Sequence, residues 1–297
     1  PVVSGLTADA TVSVVVVNPD GQKSLASVNM TFVAPPSLTG VNPSTVPASL
    51  STPITLTGAR FKDGAMARFV RANGTTVLGT ISTTVLSATQ LRCASPVVAL
   101  TADETMTVVV VNPDGQVTEL QPISYNAAPT LAGVVPHNIT ASAAADMTLT
   151  GTNFDAAALV TFALPGGNVD VTPTAITGTE ITCQSPVRTG LAAPTDVAVS
   201  VKNADTQATG TMTVVYEPEP SIINVFPTMA PATISTPITL TGANMVTGAT
   251  VQFYDGENLV GLGTNVAVAS GGTSATCNTP VVSGLTADAT VSVVVVN

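Results

Sequence analysis

The 297-residue chain is 45% apolar and only 9% charged, and its 18 acidic against 8 basic side chains leave a net charge of −10. Such a chain is too apolar for disorder and has no basic footprint for nucleic acid or anionic lipid, and no apolar run approaches the roughly 20 residues of a membrane span. Its polarity comes from 48 Thr and 21 Ser, and its punctuation from 22 Pro and 23 Gly. Thr and Val dominate, and branching at Cβ suits a pleated surface better than a helix, so the expectation is all-β.

In chain order, residues 1–35 read as the tail of a domain: an alternating Val-rich strand to Asn18, a turn at Asn18-Pro19-Asp20-Gly21, a strand closing on Phe32, then Pro35-Pro36. A full unit follows. It has "STPITLTG" (51–58), a turn from Gly58 to Phe61, a strand centred on Phe69, "LRCASPVV" with Cys93, "MTVVVVNPDG" (106–115), and a closing Tyr125 before Pro129. Residues 72–75, Ala-Asn-Gly-Thr, predict a two-residue hairpin, and 112–115 predict a turn in which Pro113 presets φ and Gly115 takes the strained end. The second unit repeats the order with "ADMTLTG" (145–151), Phe154, Phe162, Cys183, "VAVSVKNADT" (197–206) and Tyr216, then Pro218–Pro220. The third has "STPITLTG" again (235–242), Met245 in place of the turn Phe, Phe253, Cys277 and "VSVVVVN" (291–297).

Residues 1–18 and 280–297 are identical, "PVVSGLTADATVSVVVVN", an offset of 279. Pro36 to Pro129 is 93 residues, Pro129 to Pro220 is 91, and a third unit of 95 on the extended count closes the period. The chain is therefore one three-domain super-repeat entered partway through a domain. The boundaries are 1–35 (the C-terminal part of a domain), 36–128, 129–219, and 220–297, the last lacking strands that a segment equivalent to 18–34 would complete. Two explanations stand. One is a window from a continuous array; the other is a head-to-tail assembly of separate chains, in which 18–34 of one completes 220–297 of another.

Short alternating strands with turns every 8–12 residues over about 90 residues are the pattern of an immunoglobulin-like sandwich. The order Pro, a "GVNPST"-like stretch, "ITLTGxxF", a central Phe strand, "C-x-S/T-P-V", a Val-rich strand and a closing Tyr resembles the IPT/TIG family of immunoglobulin-like domains, in all three units. Met245 departs from the pattern. The resemblance implies tandem β-sandwich domains in an elongated array. It implies fold more firmly than function, since the family serves bacterial surface proteins, receptor ectodomains, companions of carbohydrate-active catalytic domains and Rel-type transcription factors alike.

Chemistry is sparse. The single His137, in "VVPHNIT", has no second His or Cys pair near it and reads as a loop residue. Cys93, Cys183 and Cys277 stand one per domain at one strand position, too far apart to bridge, and read as small buried hydrophobes. Eight of ten Phe and Tyr recur by position, as core residues do; Phe226 and Tyr254 are left over, so a sugar-stacking platform fits the third unit at best. The acidic stretches 101–105, 254–258 and 217–220 lack the spacing of a calcium loop. Arg60, Lys62, Arg68 and Arg71 form the one local basic group, in a single unit, too little for phosphate binding. The triplets at Asn29, Asn73 and Asn138 are candidate glycosylation sites, no more frequent than chance gives.

The expectation is thus a non-enzymatic structural protein, needing no cofactor or metal: an extracellular or cell-surface rod, stalk or filament, associating with itself head to tail. Two other readings stay open. One is a surface adhesin or glycan-binding module with its specificity in 253–265; the other is an accessory region of a larger secreted enzyme.

Overall fold

A computed structural model describes residues 5–283 and 288–297, and among them there is no helix. The remaining residues, 1–4 and 284–287, belong to the duplicated segment and lie outside the described residues. The chain forms two compact units, one of Pro1–Thr130 with Lys202–Thr209, the other of Leu131–Val201 with Gly210–Asn297.

In the first unit, residues 36–126 make a complete sandwich. Four antiparallel strands, Ser37–Asn42, Pro53–Ala59, Gln90–Ala94 and Thr84–Ser87, form one sheet in that spatial order. The facing sheet runs Thr45–Pro47, Gln121–Asn126, Glu104–Val111, Met66–Val70 and Val77–Ser82. Alternation puts Ile54, Leu56, Phe69, Leu91, Cys93, Met106, Val108, Val110 and Tyr125 into the layer between the sheets, where all are buried. Gly58 has to be glycine, because a Cβ there would be driven into the backbone carbonyl of Ser37 on the neighbouring strand. The turn at 112–115 forms as expected: the Gly115 N–H donates to Asn112 O at 2.9 Å, with Gly115 at φ 83°. The loop at 72–75 does not. Arg71 N–H donates to Thr76 O (2.9 Å) and Gly74 N–H to Arg71 O (2.9 Å), with Gly74 at φ 71°. It is a four-residue loop, because the Asn73 carboxamide accepts from Thr75 and Thr76 N–H (3.0 Å each) and opens the turn.

The same unit contains the hairpin of Ala10–Val14 and Val28–Phe32, a sheet of two strands. Its register matches the last two strands of the sandwich: Ala10 lies opposite Phe32 as Glu104 lies opposite Tyr125.

In the second unit the sandwich of 130–217 repeats the plan. One sheet runs Thr130–Val135, Asp146–Thr152, Glu180–Gln184 and Ala175–Ile176; the other runs Asn138–Thr140, Met212–Glu217, Thr195–Lys202, Leu159–Leu164 and Gly167–Val171. Tyr216 faces Thr195, the same register again. The third sandwich has one four-stranded sheet of the same design (Ser221–Phe226, Pro237–Ala243, Ser274–Asn278, Thr264–Val268). Among the described residues its second sheet has three strands, Asn258–Leu262, Thr250–Asp255 and Ser292–Val296. Among the described residues, that sheet holds no counterpart of Gln121–Asn126 or of Thr45–Pro47.

Candidate interaction surface

The second sheets of the three sandwiches differ at definite places. In the complete sandwiches Glu104–Val111 and Thr195–Lys202 are interior strands; in the third, their counterpart Ser292–Val296 stands at the sheet edge. The short strands Thr45–Pro47 and Asn138–Thr140 pair in parallel with Gln121–Asn126 and Met212–Glu217. The corresponding residues 229–231 form no strand. Val46 and Ile139 are 0% and 3% exposed, whereas Ala230, at the same place, is exposed. Met106 is 0% exposed, but Val291 is 37% exposed. The core of the third sandwich accordingly lacks the inward pair supplied elsewhere by Ile123 and Tyr125 or by Val214 and Tyr216.

The hairpin of the first unit carries that pair without a core to hold it. Met30 and Phe32 stand at the register positions of Ile123 and Tyr125; Met30 is 51% exposed, and Val12, Val14 and Val16 on the same face are exposed as well. Its polar fittings are also those of a finished domain. Asp9 Oδ1 accepts the Ala34 N–H at 2.9 Å, as Asp103 Oδ1 accepts the Ala127 N–H at 2.8 Å. On the third sandwich, Asn297 repeats the role of Asn112. The Asn112 carboxamide donates to Arg60 O (2.9 Å) and accepts from Lys62 N–H (3.2 Å). That of Asn297 donates to Asn244 O (2.6 Å) and accepts from Val246 N–H (3.1 Å).

One further contact was not legible beforehand. The tip 202–209 carries Gln207, 1% exposed. Its Oε1 accepts from the Ser49 N–H (3.0 Å) and hydroxyl (2.6 Å), and its Nε2 donates to Asn126 O (3.1 Å). The one signal was that Gln follows the same turn three times, at Gln22, Gln116 and Gln207.

The other residues singled out by sequence fall apart from one another. His137 is exposed in the turn before Asn138–Thr140. All three cysteines are free and buried; burial pushes the Cys93 thiol up to about 12 and that of Cys183 to about 11, and raises that of Cys277. The basic group is dispersed. Arg60 donates to Pro35 O (2.6 Å) and Thr7 O (3.1 Å), Lys62 pairs with Asp114 (2.5 Å), and Arg71 pairs with Glu104 (2.6 Å). Of the leftover aromatics, Phe226 is 73% exposed, while the Tyr254 hydroxyl donates to Gln252 Oε1 (2.6 Å). Asn29, Asn73 and Asn138 are all exposed; Asn29 accepts from the Ser13 hydroxyl and Asn138 donates to Glu217 Oε1. Among the described residues, no acidic, His or Cys group is arranged to hold a metal, and no helix is long and apolar enough to cross a membrane.

Paired antiparallel sheets around alternating apolar layers, repeated along the chain, define tandem immunoglobulin-like sandwiches. The IPT/TIG domain family matches residues 36–125 and 129–216, more than half of the chain, and the chain belongs to that family. The match stops short of the third sandwich. No curated protein matches. Among solved structures, the chain is similar to the plexin A4 full extracellular region (18% identity, TM-score 0.33, 85% of this chain and 21% of that one). It is also similar to the I-band fragment I67–I69 of titin (10%, 0.34, 89% and 98%). A third is a Bacteroides ovatus mixed-linkage glucan utilization locus protein, SGBP-B, in complex with a mixed-linkage heptasaccharide (16%, 0.26, 84% and 70%). The chain spans about a fifth of the length of the plexin region it matches.

Proposed function

We propose that this chain is a non-catalytic, length-giving protein outside the cell: a rod, stalk or filament of IPT/TIG modules. In it the sandwich of 220–297 is completed by residues 18–34 of a following copy. The observation that carries this reading is complementarity. The third sandwich lacks an edge strand with two inward apolar side chains, and Val28–Phe32 is such a strand, held in the matching register beside a second copy of the same letters. Insertion places Phe32 opposite Ala289 and beside Ala230, and Met30 opposite Val291. It brings the Ala34 N–H to Asp288, the duplicate of Asp9. Burying the half of Met30 and of Phe32 that is exposed contributes about 1 kcal/mol each, and the edge gains main-chain hydrogen bonds.

Short links support stiffness. Three or four residues, with prolines, separate the last strand of one module from the first of the next: 33–36, 127–129 and 218–220. A module of this strand length spans about 30 Å by strand rise. The exposed Asn29, Asn73 and Asn138 are the proposed sites of any N-linked glycan on such a surface. Electron microscopy of the native material tests the reading: a linear object with a repeat of about three modules is expected, and a compact particle of fixed size would contradict it.

A further inference from the structure

We infer that a cavity in the second unit is the socket for the turn 18–22 of a second copy of the chain, with Gln22 as the side chain that locks into it. The inference rests on the strand-completion reading above and adds to it a contact that spans two modules.

The first unit contains the finished form of this joint. Gln207 sits at the end of a turn in which Asn203 N–H donates to Gln207 O (2.9 Å) and Thr206 N–H to Asn203 O (3.0 Å). Its carboxamide is fully used, by Ser49 N–H and hydroxyl on one side and by Asn126 O and Asp205 Oδ2 (2.9 Å) on the other. Ser49 is held in place because Ala48, just before it, donates its N–H to Asn126 O at 2.8 Å.

One module further on, the receiving half is rebuilt. Ala141 donates its N–H to Glu217 O at 2.8 Å, so Ser142 stands where Ser49 stands and Glu217 where Asn126 stands. Among the described residues, nothing hydrogen-bonds to Ser142. Beside it opens a cavity of about 360 Å³, lined among others by Ser142, Arg188, Leu191, Glu219, Ser221 and Asn244. Arg188 Nη1 is buried with no hydrogen-bond partner. The counterpart of Gln207 would follow Asn297, after the strand Ser292–Val296.

The delivering half is in the first unit. After Asn18, the duplicate of Asn297, come Pro19, Asp20, Gly21 and Gln22. They form the same turn: Asn18 N–H donates to Gln22 O (2.8 Å) and Gly21 N–H to Asn18 O (2.9 Å). Gln22 and Asp20 are exposed. When residues 19–34 of a second copy complete the third sandwich, this turn lies at the same end of the strand pair as 203–207. Gln22 Oε1 then accepts from the Ser142 N–H and hydroxyl, its Nε2 donates to Glu217 O, and Asp20 brings a carboxylate to the side of the cavity that Arg188 lines. Each completed sandwich is thereby keyed to the module before it.

The test uses the 297-residue chain and the same chain extended past Asn297 by residues 19–34, read by amide hydrogen exchange. Extension is expected to slow exchange of the Ser142 amide by tenfold or more, alongside protection of 292–296. Gln22→Ala in the appended segment is expected to restore fast exchange at Ser142 while 292–296 stay protected. Gln207→Ala in the parent, freeing the Ser49 amide, sets the size of the effect. If 292–296 become protected and Ser142 does not respond, the socket is wrong and strand completion stands. If 292–296 stay unprotected in the extended chain, strand completion fails and the socket fails with it.

Discussion

The sandwiches of 129–219 and 220–297 share their first sheet, their central Phe (Phe162, Phe253) and their buried Cys (Cys183, Cys277), yet they differ in what the second sheet can be. In the former, Asn138–Thr140 is a strand because Met212–Glu217 lies beside it; in the latter, residues 229–231 have no such neighbour and form none. The two sites also differ in their letters, the β-branched Ile139 standing where the third sandwich has Ala230 followed by Pro231. Among the described residues, the third cluster has nine buried core residues against sixteen in the second. The difference sets a sandwich with the smaller described core beside one with the larger.

The largest test of that difference is truncation of the shared Phe. Phe162→Ala is expected to cost about 3–5 kcal/mol and Phe253→Ala a similar amount. In the second sandwich the loss should lower its melting temperature; in the third it should unfold the module outright, as near-ultraviolet dichroism and hydrogen exchange would report. A smaller contrast lies in the paired asparagines. Asn112 is buried and both ends of its carboxamide are used, so Asn112→Ala should cost about 1–3 kcal/mol. Asn297 makes the same bonds while exposed, and Asn297→Ala should cost about 0.5 kcal/mol or less, measured by denaturant unfolding. In the chain extended by residues 19–34, the second cost should rise toward the first.

Thiol labelling sharpens the comparison without altering the core. The thiolate is the reactive form, and burial keeps Cys93 and Cys183 protonated far above neutral pH, so labelling requires opening. Cys277 should react first in the parent chain, and no faster than the others once the third sandwich is completed. The smallest effect is the pH dependence of the finished modules. Their thiols have folded pKa values raised above the unfolded value of 9.0, so the associated stability is fully present below about pH 9. It is lost as pH rises toward 11 for Cys183 and 12 for Cys93. A urea midpoint that falls between pH 8 and pH 10.5 is the expected result.

Much of this was legible in the letters. The recurring landmarks placed Phe69, Phe162, Phe253 and the three cysteines in cores. Phe32 recurs at the closing position but is only half-buried, unlike Tyr125 and Tyr216. The loop at 72–75 was misjudged because a side-chain acceptor, Asn73, rather than the Asn-Gly dipeptide sets its length. Gln207 escaped notice because its partners, Ser49 and Asn126, are 158 and 81 residues away, and no local pattern marks a polar side chain as buried. The cavity beside Ser142 escaped for the same reason.

The central claim is that the third sandwich is missing the strand which residues 19–34 supply. Differential scanning calorimetry of the 297-residue chain beside the chain extended by those residues tests it most directly. The account predicts an early, low-enthalpy transition in the parent that moves up to join the main unfolding peak in the extended chain. Superimposable thermograms for the two chains would contradict it.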